Sequence, residues 1–257
     1  MKIGIVTSFN EKLYNYYAHR FLESYNLPFN LHIYHEGWTP EDFPLRDNIH
    51  YIDIYSGKNG NELRKFKAKM SGYNVDSVVP GEPHKIIHGT NYKKDGIRFA
   101  YKVFAKTDLM TNGKNNYDYV FWIDADMIFK KSFNAKDVVA KFLPGDYQIS
   151  HIHRPTYYSE CGFVGYNLRH WQTRVFVQRF REMYTNLKLL NEDEWHDSYL
   201  FDAVRKKLTI ELNGDIKFYN LSPTIRKVGN PWPDTPMAEY MDHLKGKARK
   251  DAGEMLK

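Results

Sequence analysis

Two carboxylates, Asp124 and Asp126, follow directly on the run Tyr119-Val120-Phe121-Trp122-Ile123, the most apolar strand-like stretch of the chain. Residues two apart in an extended segment point the same way, so oxygens from both acids can face one ion. A buried strand that ends in acids puts them at its carboxyl end, where open α/β sheets bind ligands. Hard oxygen ligands favour Mn2+ or Mg2+, ions that keep other positions for phosphate and water. Such an ion stabilises negative charge on a departing diphosphate. An Asp-x-Asp tripeptide also occurs in plain solvated turns; the large apolar residues just before it weight this one towards a site.

The rest of the pattern says what must hold that pair in place. Residues 2–7 predict a first strand, followed by the polar turn Ser8-Phe9-Asn10, and Leu13, Tyr16, Tyr17, Phe21 and Leu22 carry helical spacing over 11–25. Leu31–Tyr34 and Ile49–Tyr55 read as strands, residues 97–110 as a helix, and Tyr117–Ile123 as the central strand of an α/β sheet. Residues 56–96 read as a long irregular insertion with a short helix near 61–70. Further on, 135–143 is helical, Tyr147–His153 and Cys161–Tyr166 are strands, and Leu168–Leu187 and Asp197–Lys207 are helices. Leu208–Leu212 and Ile216–Leu221 predict a strand pair across Asn213-Gly214, and the remainder reads as a surface tail.

Composition narrows the classes. The chain has 257 residues, 42% hydrophobic and 26% charged, which excludes a disordered chain, a collagen and a coiled coil. One cysteine, Cys161, leaves no internal disulfide framework and no cysteine-based zinc site, and points to a reducing compartment, the cytoplasm. No apolar run reaches the roughly 18 residues of a membrane span, and the first residues read as a strand rather than a signal peptide. A net charge of +6 favours anionic partners. His151 and His153 share a strand face and read as a partly buried polar strand.

Phe121-Trp122-Ile123-Asp124-Ala125-Asp126-Met127 resembles the signature strand of nucleotide-sugar glycosyltransferases of the GT-A fold. The resemblance implies an α/β, Rossmann-like mixed sheet flanked by helices, with Asp124 facing ribose and metal and Asp126 binding the metal. Glu160-Cys161-Gly162-Phe163-Val164-Gly165-Tyr166, followed by Glu194-Trp195-His196-Asp197-Ser198, is similar in order and spacing to the retaining blood-group and α-1,3-galactosyl transferases. That likeness places Trp195 and His196, with Glu160, on the acceptor side and Asp197 at the donor sugar. Ser198 stands where that family has a Glu, so a double displacement through this position is lost. Asp197 and Glu160 are the remaining catalytic candidates, Glu160 as a general base if partly desolvated. Read plainly, they are a helix N-terminal acid and a strand-start acid.

His243-Leu244-Lys245-Gly246-Lys247-Ala248-Arg249-Lys250 resembles the His-x-x-Gly-x-x-Lys signature of glycogenin and the bacterial lipopolysaccharide galactosyltransferases. There the His completes the metal site, the Gly admits the diphosphate, and the Lys binds phosphate. Arg249 falls on the Lys position, with Lys250 next to it, and the Pro-Trp that follows in that family is missing. An imidazole suits Mn2+ and a glycine lets phosphate approach; the plain alternative is a basic tail. The GT-A resemblance brings Thr7 and Phe9, otherwise part of a plain polar turn, to the nucleobase, and Arg98 and Lys102, otherwise two solvated cations on an amphipathic helix, to the nucleotide.

The expectation is a single domain: a nucleotide-binding half over 1–126, an acceptor half over 127–221, and a tail over 222–257 that closes the site. It would move a sugar from a UDP-linked donor to a glycan or other hydroxyl acceptor, with retention. A nucleotidyltransferase lacks support because Thr7-Ser8-Phe9-Asn10 is not a Gly-rich basic loop. A nucleic-acid binder lacks support because the basic residues are interspersed with acids. A carbohydrate-binding module would need no acid pair at a central strand end.

Overall fold

Along the first and central strands, side chains alternate between two cores. Ile3, Ile5 and Phe9 join Tyr119, Phe121 and Ile123 on one face, and Val6 joins Val120 and Trp122 on the other. Both faces are therefore covered, and the strands read as near-continuous apolar runs. The computed structural model describes residues 1–38, 44–71, 73, 77–79, 82–87, 92–112, 116–222, 230–246 and 250, with backbone alone for 77–79 and 82–87.

In chain order come β1 (Ile3–Phe9), α1 (Glu11–Leu13), a π-helical turn (Tyr14–Ala18), α2 (His19–Ser24), β2 (Asn30–His35), β3 (Ile49–Asp53) and α3 (Gly57–Met70). Next are β4 (Ser77–Val79), β5 (Glu82–Ile87), α4 (Gly96–Thr111), β6 (Tyr119–Ile123), β7 (Met127–Phe129), α5 (Ala135–Asp137), β8 (Ile149–Ile152) and β9 (Glu160–Asn167). The chain continues with α6 (Trp171–Thr185), α7 (Asp197–Glu211), β10 (Phe218–Asn220) and β11 (Met241–His243).

Seven strands form one sheet in the order β10-β8-β9-β6-β1-β2-β3, with β6 at its centre as the sequence predicts. β6, β1, β2 and β3 run parallel, while β9 is antiparallel to both β6 and β8. Gly165 of β9 faces Phe121 of β6. A Cβ there would stand 2.5 Å from both the Phe121 ring and Ser150 Oγ, so the mixed part of the sheet closes over a glycine. Helices α3, α4, α6 and α7 cover the second core. The side chain of Arg181 ties three of them, donating to Glu62 and Asn59 on α3 and to Thr107 on α4.

Three local expectations are corrected. The helix expected near 61–70 starts earlier, at Gly57, and a β4–β5 hairpin follows where loop was expected. The 11–25 helix carries a π-helical turn in its middle. Leu208–Leu212 is not a strand: α7 runs to Glu211, with Leu208 buried one turn beyond Val204. Asn213 (φ 47°) and Gly214 (φ 82°) stop the helix in left-handed conformations. Gly214 N–H donates to Thr209 O at 2.9 Å and Asn213 N–H to Ile210 O at 3.1 Å, the pairing of a helix stop rather than a hairpin. The following strand, β10, pairs in parallel with β8.

Candidate active site

Backbone pairing assembles the acid pair and the distant histidine. Asp124 N–H donates to Gly162 O at 2.8 Å, so the β6–β9 ladder reaches the first acid. The chain then turns into β7, which pairs antiparallel with β11 and sets His243 opposite Met127. Leu244 N–H donates to Asp126 O at 2.9 Å. Trp232 packs edge-on to the His243 ring at 5.4 Å and donates from Nε1 to Met241 O at 3.0 Å, which fixes β11. Asp124, Asp126 and His243 consequently offer one ligand atom each, all within 4.8 Å of one another.

The surroundings orient these side chains. Asp124 Oδ1 accepts from Trp122 Nε1 at 2.6 Å and faces Lys102 Nζ at 2.7 Å. Its other oxygen, Oδ2, is left beside Gly162. A Cβ at 162 would come within 3.4 Å of both Asp124 Oδ2 and His243 Cε1, so the missing side chain is what opens the space between them. Two carboxylates and an imidazole around a space kept clear by a glycine fit a divalent ion of the Mn2+ or Mg2+ type.

Cations surround the pair. Lys250 Nζ lies 2.6 Å from Asp126 Oδ2 and 4.5 Å from the Tyr17 ring centre. Burial pushes the Asp126 carboxyl up, but the His243 hydrogen bond and the Lys250 charge outweigh it and hold Asp126 below the usual range. Asp124 goes the other way: burial and its neighbour Asp126 raise it against the pull of Lys102. The Tyr17 phenol is raised by burial and by the two carboxylates, and Arg98 and Lys102 oppose that. Tyr17 thus stands beside the acid pair, and the π-helical turn is what carries it there, a distortion often seen at functional sites.

The two catalytic candidates are both ion-paired. Asp197, at the first position of α7, is buried, with Oδ2 3.1 Å from Lys102 Nζ and 3.7 Å from Lys106 Nζ. Burial raises its carboxyl, but the two lysines win and it lies below the usual range. Glu160 pairs with Lys245 and, at 3.6 Å, with Arg154. Burial opposes ionisation of Glu160 too, yet Lys245, His243 and Arg154 hold it low. An acid held low is a poor proton acceptor, so the desolvation expected to make Glu160 a base is overridden here by cations.

Other expected residues lie as follows. Thr7 and Phe9 are both buried in β1, and Phe9 is covered by Tyr14, whose ring stacks at 5.9 Å. Tyr14 in turn leans on Trp38 at 5.1 Å, so the half-buried aromatic on this wall is Tyr14, not Phe9. Trp195 is packed in the second core, with Lys94 Nζ over its ring at 4.6 Å. His196 caps α7: its Nδ1 accepts from Tyr199 N–H at 3.2 Å, which puts the proton on Nε2, paired with Glu194 at 2.9 Å. With both nitrogens committed and Tyr92, Phe99, Tyr158 and Tyr199 around its ring, His196 offers no free polar atom to an acceptor as it stands. Gly246 is left-handed at φ 91°, a conformation that favours glycine. Arg249 lies outside the described residues.

Sequence reasoning missed Trp122 as an orienting donor, Tyr17, Gly162, Lys245 and Lys106. Lys106 carried a legible signal, since it falls four residues after Lys102 on the same helix face. Gly162 lay in a quoted motif without an assigned purpose.

No family model matches the sequence, and no curated protein matches it. The seven-stranded mixed sheet flanked by helices has the architecture of the GT-A fold. Among solved structures the chain is similar to the galactosyltransferase LgtC in complex with donor and acceptor sugar analogs, at 16% identity and a TM-score of 0.51, covering 95% of this chain and 88% of that one. It is also similar to mouse xyloside xylosyltransferase 1, apo form, at 12% identity and a TM-score of 0.47, covering 93% of this chain and 92% of that one. Among the described residues, no helix is long and apolar enough to cross a membrane.

Proposed function

We propose that the chain is a metal-dependent glycosyltransferase that moves a sugar from a UDP-linked donor to a hydroxyl acceptor with retention. The observation that carries this reading is the mutual reach, within 4.8 Å, of ligand atoms from Asp124, Asp126 and His243. The likeness to LgtC supports the same reading through the fold. Asp124, Asp126 and His243 would hold Mn2+ (or Mg2+), which when bound supplies positive charge against a diphosphate leaving group. In this reading residues 1–126 bind the nucleotide, 127–221 the acceptor, and 222–257 close over the diphosphate. The buried lone thiol of Cys161 is consistent with a cytoplasmic setting.

The chain's own residues have separate tasks. Lys250, with Arg249 beside it in sequence, neutralises the diphosphate, and Gly246 lets the chain turn so that Lys250 reaches it. Lys102 and Arg98 face the nucleotide from α4. Tyr14 replaces Phe9 as the aromatic wall for the base. Asp197, ionised between two lysines, is placed to stabilise positive charge developing at the sugar. Ser198 supplies no carboxylate for a covalent intermediate, so a same-face, ion-pair route follows from the residues present. Glu160 and His196 act on the acceptor side by shaping it: Glu160 anchors Lys245 and Arg154, and His196 fixes Glu194.

Incubation with a panel of UDP- and GDP-sugars and Mn2+ tests this. Release of nucleoside diphosphate, lost in Asp126→Asn, and a product with the donor's anomeric configuration by NMR are expected. No release from any donor, or consumption of pyrophosphate instead, would refute it in favour of no transfer or of nucleotidyl transfer.

A further inference from the structure

Arg98, Lys102 and Lys106 fall at four-residue intervals on α4 and share one face of it. Their exposure drops along the stripe: Arg98 is exposed, the Lys102 side chain is 16% exposed, and that of Lys106 is 0% exposed. Among the described residues, Lys106 Nζ makes no hydrogen bond. Its ion-pair partner is Asp197 Oδ2 at 3.7 Å. Its other near neighbours are the Trp122 ring at 5.5 Å and the Phe180 ring at 4.8 Å. The titratable groups that face it are Asp197, Lys102, Cys161 and Asp124. A buried ammonium with one distant partner is costly, and an apolar side chain of similar volume would fill the space without that cost. Burial pulls Lys106 below the usual lysine range, and Asp197 pulls it back.

The charge has an evident effect on its neighbours. Lys102 is divided between Asp124 Oδ1 at 2.7 Å and Asp197 Oδ2 at 3.1 Å. Without Lys106, the buried Asp197 carboxylate would have Lys102 as its one ion-pair partner among the described residues and would draw it away from Asp124. Asp124 Oδ1 would then keep Trp122 alone, and the carboxylate could turn its Oδ2 away from the space beside Gly162. We propose that Lys106 is a positioning residue for the metal site: by sharing the charge of Asp197 it leaves Lys102 on Asp124, and so keeps the second Asp124 oxygen facing the ion. This rests on the metal-site reading of Asp124, Asp126 and His243.

The test is a cycle of Lys106→Met, Asp197→Asn and the double variant, each titrated with Mn2+ in the presence of UDP by calorimetry and unfolded in urea. Outer groups that orient metal ligands typically change affinity 10- to 100-fold. Lys106→Met is expected to keep or raise the urea midpoint while binding at least about tenfold more weakly. The double variant is expected to recover to within about threefold, because no Asp197 charge remains to pull Lys102. Asp197→Asn alone is expected to lower the midpoint, since it strands Lys106, and the double variant to restore it. Recovery of binding by a second substitution is not the behaviour of a residue that merely packs. Parent-like binding by Lys106→Met, or a double variant as weak as Lys106→Met, would overturn the inference alone. A parent chain that takes up no Mn2+ with UDP would overturn the metal-site reading and this inference together.

Discussion

Gly162→Ala separates the site from the fold. The added methyl would stand 3.3 Å from Met127 Cε, 3.4 Å from Asp124 Oδ2 and 3.4 Å from His243 Cε1. The Met127 thioether tip can swing aside. The other two atoms belong to groups whose spacing sets the ion site, and coordination tolerates about 0.2 Å. Shifting either by a few tenths of an ångström is therefore expected to weaken Mn2+ uptake about 10- to 100-fold, or roughly 1.4–2.7 kcal/mol. The backbone at 162 is ordinary strand, so replacing glycine lowers the entropy of the unfolded chain and stabilises by about 0.4–1 kcal/mol. Calorimetry with Mn2+ and UDP, run beside a urea melt, reads both numbers. Unchanged affinity in a folded Gly162→Ala protein would refute the idea that this glycine keeps the ion position open.

Three further substitutions or conditions have defined expected outcomes. Gly60→Ala would place a Cβ 1.8 Å from the Tyr55 carbonyl oxygen, a backbone clash at the start of α3, and should cost about 3 kcal/mol or more in a urea melt; parent-like stability would contradict that packing. His196→Ala should cost about 2–3 kcal/mol through the lost cap and ring contacts, and His196→Asn, which can still cap, should retain about 1 kcal/mol of that; equal midpoints for the two variants would remove the capping role. Burial lowers His32 to about 4 and His151 to about 3, with nearby His50 and Arg205 adding to the respective effects. Their contribution is present in full above the unfolded value near 6.5 and is lost as pH falls towards those folded values, because the unfolded chain binds protons first. At pH 5 that is about 2 kcal/mol for each ring. The urea midpoint should fall between pH 7.5 and pH 5, and less steeply in His151→Gln; a flat profile would contradict it.

The acid pair was readable because its signal is local: five apolar residues must be buried, and the carboxylates must emerge where the strand does. His243 needed a motif, since nothing local says that β11 returns to pair with β7. The helix of α4 was legible from its periodicity, but the direction of its cations was not. Lys102 and Lys106 look alike on a wheel, and the tertiary position of α7 decides that one is partly exposed and the other sealed. Asn213-Gly214 misled because the same dipeptide serves hairpins and left-handed helix stops, and the apolar spacing through Leu208 was the deciding evidence. Phe9 was expected at a base because of its place after β1, yet alternation along that strand turns it inward with Ile3 and Ile5. His196 lost its expected freedom to a capping bond that depends on where α7 begins.

In the proposed function, Asp124, Asp126 and His243 grip one divalent ion beneath a nucleoside diphosphate. Calorimetric titration of UDP with and without Mn2+, on the parent chain and on Asp126→Asn, tests it most directly. Binding that requires Mn2+ in the parent and is lost in the variant is expected. UDP binding of equal strength with and without the ion, or no binding in either case, would contradict it.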